Sequence, residues 1–257
     1  MKVRRPGFVS LVSALVAGFT LALVPISAKA EGAAGKASFS AALASRYVWR
    51  GQILSEGLVL QPTVGITLGG FGANLWSNVD LDNSEEDDDG IVMNETDLTL
   101  NYTLPVGPVS LTGGFIHYDF DGGDTQELYL TGALATLLNP SLSLYYDFDE
   151  GDGLFAVLAA SHGFPVGPVS LTAGASLGFN IDDKAMGTNA DGEEFTGLYY
   201  GELYLATSIP LFKNVTLDPR IAYSTALGDD GEHAIKSISV DGEEDMFYGS
   251  VAITAAF

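Results

Sequence analysis

The chain has 257 residues, with 11 Lys plus Arg against 33 Asp plus Glu and a formal net charge of −22. Such an acidic balance argues against nucleic acid as a partner, since phosphate backbones are bound through cationic side chains. Cysteine is absent, which excludes disulfide staples and thiolate chemistry, while apolar residues make up 47% of the chain, so charge and apolar surface must be segregated.

Lys2, Arg4 and Arg5 precede an apolar run from Phe8 to Val24, and Ala28-Lys29-Ala30 supplies the small residues of a cleavage point. Residues 1–30 therefore read as a signal peptide and 31–257 as the exported domain. Beyond residue 30 no apolar stretch approaches the roughly 18 residues of a helical span, so a membrane protein of this sequence crosses with strands.

From residue 38 onward the sequence alternates apolar with small or polar residues. The cleanest case is Val169, Leu171, Ala173, Ala175, Leu177, Phe179 and Ile181, interleaved with Ser170, Thr172, Gly174, Ser176, Gly178 and Asn180. That pattern makes a strand apolar on one face only. Twelve such segments are predicted, over 38–50, 57–69, 71–81, 94–104, 109–120, 125–138, 141–149, 153–164, 169–181, 198–209, 215–227 and 246–257. Each reaches the roughly 9–11 residues of a tilted spanning strand.

Gly69-Gly70, Pro105-Val106-Gly107-Pro108, Asn139-Pro140, Pro165-Val166-Gly167-Pro168 and Pro210 to Asn214 make tight connections without an acid. All but four acidic residues (Glu31, Glu56, Glu202 and Asp218) fall in the windows 80–97, 119–127, 147–152, 182–194 and 229–245. The prediction is an all-β transmembrane antiparallel β-barrel of about 12 strands in a bacterial outer membrane, with short periplasmic turns and long acidic external loops. Pro105 to Gly114 (PVGPVSLTGG) recurs at Pro165 to Gly174 (PVGPVSLTAG), a weak internal repeat. Phe247, Gly249, Val251, Ile253, Ala255 and Phe257 share one face of the last strand, which resembles the segment read by the barrel-assembly machinery.

Alternation assigns the inner face. With Phe39, Ala41, Leu43, Tyr47 and Trp49 toward lipid, Arg46 and Arg50 point inward. Asn74, Trp76, Asn78, Asp80, Glu95, Asp97, Glu127, Asp147, Glu202, Asp218 and Arg220 join them as pore-lining candidates, with Tyr129, Tyr145 and Tyr204. Tyr47, Trp49, Tyr118, Tyr146, Phe148, Tyr199 and Phe247 are expected to form an aromatic girdle near the outer strand ends. Opposed charges in a lumen can form an electrostatic constriction. They can equally pair within a filled interior, because twelve strands lie between packed eight-stranded barrels and open sixteen-stranded ones.

Ser45-Arg46-Tyr47-Val48-Trp49-Arg50-Gly51, Phe71 to Asp80 (FGANLWSNVD), Glu95-Thr96-Asp97-Leu98, Gly114 to Tyr118 and Glu127-Leu128-Tyr129 together resemble the TorF porin family over residues 40–130. One departure is Asp119-Phe120-Asp121-Gly122-Gly123, which replaces an aromatic-Pro-Gly turn. The resemblance implies an outer-membrane barrel, and a pore by analogy.

Neither Asp147 to Gly153 (DFDEGDG) nor Glu85 to Asp89 follows the spacing of an EF-hand. These loops support at most weak association of divalent cations, shared with lipopolysaccharide phosphates, on a solvated repulsive rim. Ser161 and His162 are adjacent on one strand and so face opposite sides, and no G-x-S-x-G occurs. His117, which could face the lumen near Asp119, and His233 in a loop lack a nucleophile partner. No cofactor is predicted, and the chain reads as a non-enzymatic channel for small hydrophilic solutes or cations. The alternative is a sealed structural or surface-interaction barrel whose acidic loops bind cations or lipopolysaccharide.

Overall fold

The computed structural model describes residues 35–82 and 90–257. The expected signal peptide at 1–30 and the acidic run Glu85 to Asp89 lie outside the described residues. In chain order the strands are β1 (Lys36–Ala44), β2 (Tyr47–Trp49), β3 (Gln52–Ser55), β4 (Val59–Leu68), β5 (Phe71–Asp80), β6 (Val92–Val106), β7 (Val109–Phe120) and β8 (Gly123–Leu134). They continue as β9 (Ser141–Asp147), β10 (Gly153–Val166), β11 (Val169–Ile181), β12 (Thr196–Thr207), β13 (Ile209–Phe212), β14 (Val215–Ala226) and β15 (Asp245–Ala256), with helix α1 at Asp229–Ile238.

All strands except β2 and β3 form one antiparallel sheet, in which each pairs with its neighbours along the chain. β12 and β13 pair with β14 in one continuous register, Ala206↔Arg220 then Ile209↔Leu217, so they are one wall strand crossing Ser208. The first and last strands pair from Ser38↔Ala256 to Ala44↔Ser250, which closes a barrel of twelve strands. Closure leaves no unpaired sheet edge in lipid, where each unpaired backbone group is costly.

The outward face carries Leu130, Leu158, Leu203 (63% exposed), Ile221 and Phe247. A smooth exposed apolar surface of this kind fits a bilayer and no aqueous solvent. Inward positions alternate with it and are small or hydroxylated: Thr103 and Thr112 are hydrogen bonded at 2.9 Å, Thr131 and Ser143 at 2.8 Å.

The near-repeat now has a physical reason. Gly107 and Gly167, with φ of 62° and 60°, turn the β6–β7 and β10–β11 hairpins. Gly114 and Gly174, at the other end of the repeated segment, sit opposite Tyr129 and Tyr204. A Cβ on Gly114 would lie 2.5 Å from the Tyr129 ring, so each glycine is a seat for a tyrosine lying flat on the inner wall.

The predicted spans agree with the wall strands except at the first. β1 ends at Ala44, and residues 47–55 leave the wall as a separate two-stranded hairpin. Tyr47 and Trp49 therefore do not meet lipid as expected; they pack inside the barrel. Tyr118 and Tyr199 are also buried inward, which leaves Tyr146, Phe148 and Phe247 as the exposed members of the expected girdle.

Because Leu158 is mid-strand and outward, Leu158→Arg should cost about 2–4 kcal/mol of barrel stability. Urea unfolding of the chain refolded into lipid vesicles measures this, with Leu158→Ile as the near-neutral control.

Candidate functional site

The hairpin begins where β1 stops holding the wall. Ser45 makes the last contacts with β15, donating its N–H to the Gly249 carbonyl at 2.9 Å and accepting the Gly249 N–H on its hydroxyl at 3.1 Å. The turn residues Arg50 and Gly51 both have positive φ, 48° and 86°, the pairing of a type I′ hairpin turn. Gly51 is required twice over, since a Cβ there would lie 2.7 Å from the Tyr200 Cβ.

At the tip, Arg50 donates from Nη1 and Nη2 to the two carboxylate oxygens of Glu127 on β8, both at 2.8 Å. The Tyr118 hydroxyl donates to the same carboxylate at 2.9 Å. The guanidinium carbon lies 4.4, 4.5 and 4.8 Å from the ring centroids of Trp49, Tyr145 and Phe155. Both charges are buried, so pairing and the aromatic sleeve replace lost water.

The other edge of the hairpin is held by α1 and the chain after it. The Ile53 N–H donates to the Ser239 hydroxyl at 3.1 Å, and the Val240 N–H donates to the Ile53 carbonyl at 2.9 Å. Gln52 donates to the Tyr199 hydroxyl at 2.8 Å, which in turn donates to the Met186 carbonyl at 2.9 Å. Ala234 and Ile235 bury one stripe of α1 against Phe155, Met186, Phe195, Tyr199 and Tyr200. The opposite stripe is solvated, with Lys236 bridging Glu232 at 2.7 Å and Glu244 at 3.1 Å. Together the hairpin, α1 and a short helical turn at Lys184–Met186 fold into the outer half of the barrel.

Asp183 caps that turn, accepting the Ala185 N–H at 3.0 Å, while its Oδ2 is buried without a partner. Burial pushes its carboxyl up to about 6, against the opposing pull of Arg50 and the Ala185 N–H. Asp147 is likewise buried, and it accepts the Thr125 hydroxyl at 2.7 Å and the Asp149 N–H at 2.9 Å. The 147–153 loop is thus partly folded inward, with donors from β8 and from the loop itself, not a wholly solvated rim. Among the described residues, carboxylate oxygens of Glu243, Glu244 and Asp245 come within 4.8 Å of one another, and Lys236 already neutralises part of that charge.

Deeper in the wall, Arg220 on β14 donates to Glu202 on β12 and to the Tyr248 hydroxyl at 3.2 Å, and it lies 4.7 Å from the Tyr204 ring centroid. Tyr248 also donates to Glu202. Asp218, nearer the tight-turn end, accepts from Ser208 and Thr216.

The inward candidates thus fall into separate groups. Arg50 and Glu127 form the lock, with Asp147 close by, while Arg46 reaches Asp241 of the folded-in segment at 3.4 Å. Trp76 meets Tyr47 in a tilted contact, 5.3 Å between ring centroids, and Asn78 links Gln61 to Asn94. Asn74 lies beside Gly65 on the inner wall. Glu95 and Asp97 share the inner face of β6, and Asp80 stands at the mouth. His117 is on the outer face instead, 4.0 Å from Asp124, because it alternates with the inward Ile116 and Tyr118. His162 contacts the Leu137 carbonyl at 2.7 Å, outside the barrel from Ser161.

Two cavities flank the hairpin. The outer one, about 920 Å³, is bounded by Tyr47, Trp49 and the outer ends of β5–β8. The inner one, about 290 Å³, is bounded by Arg46, Val48, Gln61, Arg220, Tyr248 and Ser250. Alternate residues of β2 face the two spaces, so the hairpin is a septum.

No family model and no curated protein matches this chain. Among solved structures it is similar to a KdgM porin at 13% identity, covering 86% of this chain and 99% of that one with a TM-score of 0.53. A NanC porin (12%, covering 85% and 98%, TM-score 0.49) and the translocator domain of the autotransporter NalP from Neisseria meningitidis (12%, covering 97% and 98%, TM-score 0.47) are more distant. At these identities the likeness is one of fold, that of outer-membrane β-barrels.

Removing Arg50 strands a buried carboxylate, so Arg50→Ala should destabilise the docked hairpin by about 3–5 kcal/mol. Hydrogen exchange should then rise across residues 46–56 and 228–240 while the wall strands stay protected. Asp183 binds its proton more tightly in the fold than in the unfolded chain, where a carboxyl titrates near 3.9. Its contribution is therefore fully present below about pH 4 and is lost as pH rises through about 6. Asp183→Asn, which can still cap Ala185, should remove that part of the pH dependence of exchange in residues 182–195.

Proposed function

We propose that this chain is an outer-membrane channel for small hydrophilic solutes or cations, closed in the described conformation by its own hairpin and α1. The carrying observation is that the hairpin divides the lumen without filling it, leaving about 920 Å³ on one side and 290 Å³ on the other. A barrel built as a solid plug would be expected to leave neither space, since protein interiors are close-packed. The apolar outer wall, the fold shared with porins and the TorF-like residues of 40–130 all support an outer-membrane setting, in contact with lipid and lipopolysaccharide.

Acidic side chains at the mouth raise the local cation concentration over about 8 Å at physiological salt, which favours cations over anions at entry. A non-catalytic role is supported by His117 and His162, which alternate onto the outer face, His162 opposite in facing to Ser161. The second reading, a sealed barrel that presents its loops, is favoured by the buried Arg50–Glu127 pair, which resists withdrawal of the hairpin.

Single-channel recording of the refolded exported domain in a planar bilayer under a salt gradient separates the two. A gated channel gives infrequent, cation-preferring steps whose open probability rises in Glu127→Gln. Silence in wild type, in Glu127→Gln and in a chain whose residues 46–56 are replaced by a short Gly/Ser linker would leave the sealed barrel standing.

A further inference from the structure

We infer that the outer cavity is a binding site for a small organic cation, such as a solute carrying an ammonium group. Its volume, about 920 Å³, is that of a ligand pocket rather than a packing defect. One wall is aromatic: Tyr47, Trp49 and Tyr118 line it, fixed by the Tyr47–Trp76 contact at 5.3 Å and the Trp49–Tyr118 contact at 5.7 Å. Its mouth is acidic, with Asp80, Asp121 and Asp124, and Glu95 lies deeper, hydrogen bonded to Tyr47.

Among the described residues no Lys or Arg lines this space. Arg50 is nearby but is committed to Glu127 beside Trp49. Asp124 meets only His117, at 4.0 Å, among the ion pairs of described residues. One residue pair further along the inner face of β6, Asp97 has a buried Oδ1 with no hydrogen-bond partner. An anion would find repulsion here without a donor of opposite charge, and a neutral solute would leave the exposed carboxylates of Asp121 and Asp124 without a cation from the lining. An ammonium ion gains both from the carboxylates and from the ring faces.

The inference concerns occupancy of the mouth and rests on the proposed orientation of that mouth toward the medium, not on conduction. It is tested by titrating choline into the refolded exported domain and following intrinsic tryptophan fluorescence, since Trp49 and Trp76 are the two tryptophans of the chain. The expected result is a saturable change that 3,3-dimethyl-1-butanol, the uncharged isostere, does not produce. Glu95→Gln should weaken choline by about tenfold or more, in line with loss of a charge-assisted contact. Glu193→Gln, an exposed acid outside the cavity, should leave it unchanged.

Heat-modifiable gel migration confirms that each variant is folded. Equal binding of the uncharged isostere, an unchanged choline affinity in folded Glu95→Gln, or no saturable change overturns the inference. A barrel that binds choline but never conducts upholds it while removing the channel reading.

Discussion

A guanidinium buried inside a membrane barrel is tolerable only if every part of it is answered. Arg50 meets that condition through two parallel hydrogen bonds to Glu127, a third donor to the same carboxylate from Tyr118, and rings of Trp49, Tyr145 and Phe155 around its carbon. The arrangement fixes the position of the hairpin tip against β8, β9 and β10 at once. Once the tip is fixed, Gly51 must pass against Tyr200, Gln52 reaches Tyr199, and the β3 edge becomes available to Ser239 and Val240. The docking of α1 follows from the same constraint, because Ile235 fills the space beside Gly51. Arg220 repeats the solution deeper in the wall with Glu202, Tyr204 and Tyr248, so Arg50 and Arg220 are each neutralised locally.

The wall was legible because lipid imposes a simple rule on it. Each spanning strand must be apolar on one side, so period-two alternation locates the strands and assigns their faces, as it does for Leu171 through Ile181. The order of Tyr47, Trp49 and Arg50 obeys no such rule, since an aromatic side chain inside the lumen looks in sequence like one in an interfacial girdle. The signal that distinguishes them is Arg50-Gly51 itself, a two-residue turn flanked by alternating Tyr47-Val48-Trp49 and Gln52-Ile53-Leu54. Helix α1 was hidden in the same way. Its acids made residues 229–245 look like one more rim loop, although Ala234, Ile235 and Ile238 already carry helical spacing.

The inner-face assignment placed Glu127, Glu202 and Arg220 from parity alone, but parity cannot say which charges meet. Arg50 pairs with a residue 77 positions away, and Arg46 with one 195 away. Asp183 shows the same limit, for an acid in a nominally solvated loop joins the inward Asp147 among the most buried side chains of the described chain. Their burial follows from the glycines beside them: a Cβ on Gly151 would meet Asp183 Oδ1 at 2.3 Å and Asp147 Cγ at 2.7 Å.

The hairpin does not lean on one side of the barrel. Tyr47 packs on Trp76 of β5, Arg50 engages β8 through β10, and Gln52 engages β12, so its contacts span more than half of the circumference. A movement that frees one side without the other would leave Glu127 unpaired in the interior or expose the Phe155–Tyr199 cluster. Partial release is therefore costly, and the hairpin with α1 is held as a single docked body. Because β2 itself separates the two cavities, joining them, as the proposed channel requires, would mean moving that whole body, and a solute resting against Tyr47 and Trp49 would touch the element that moves.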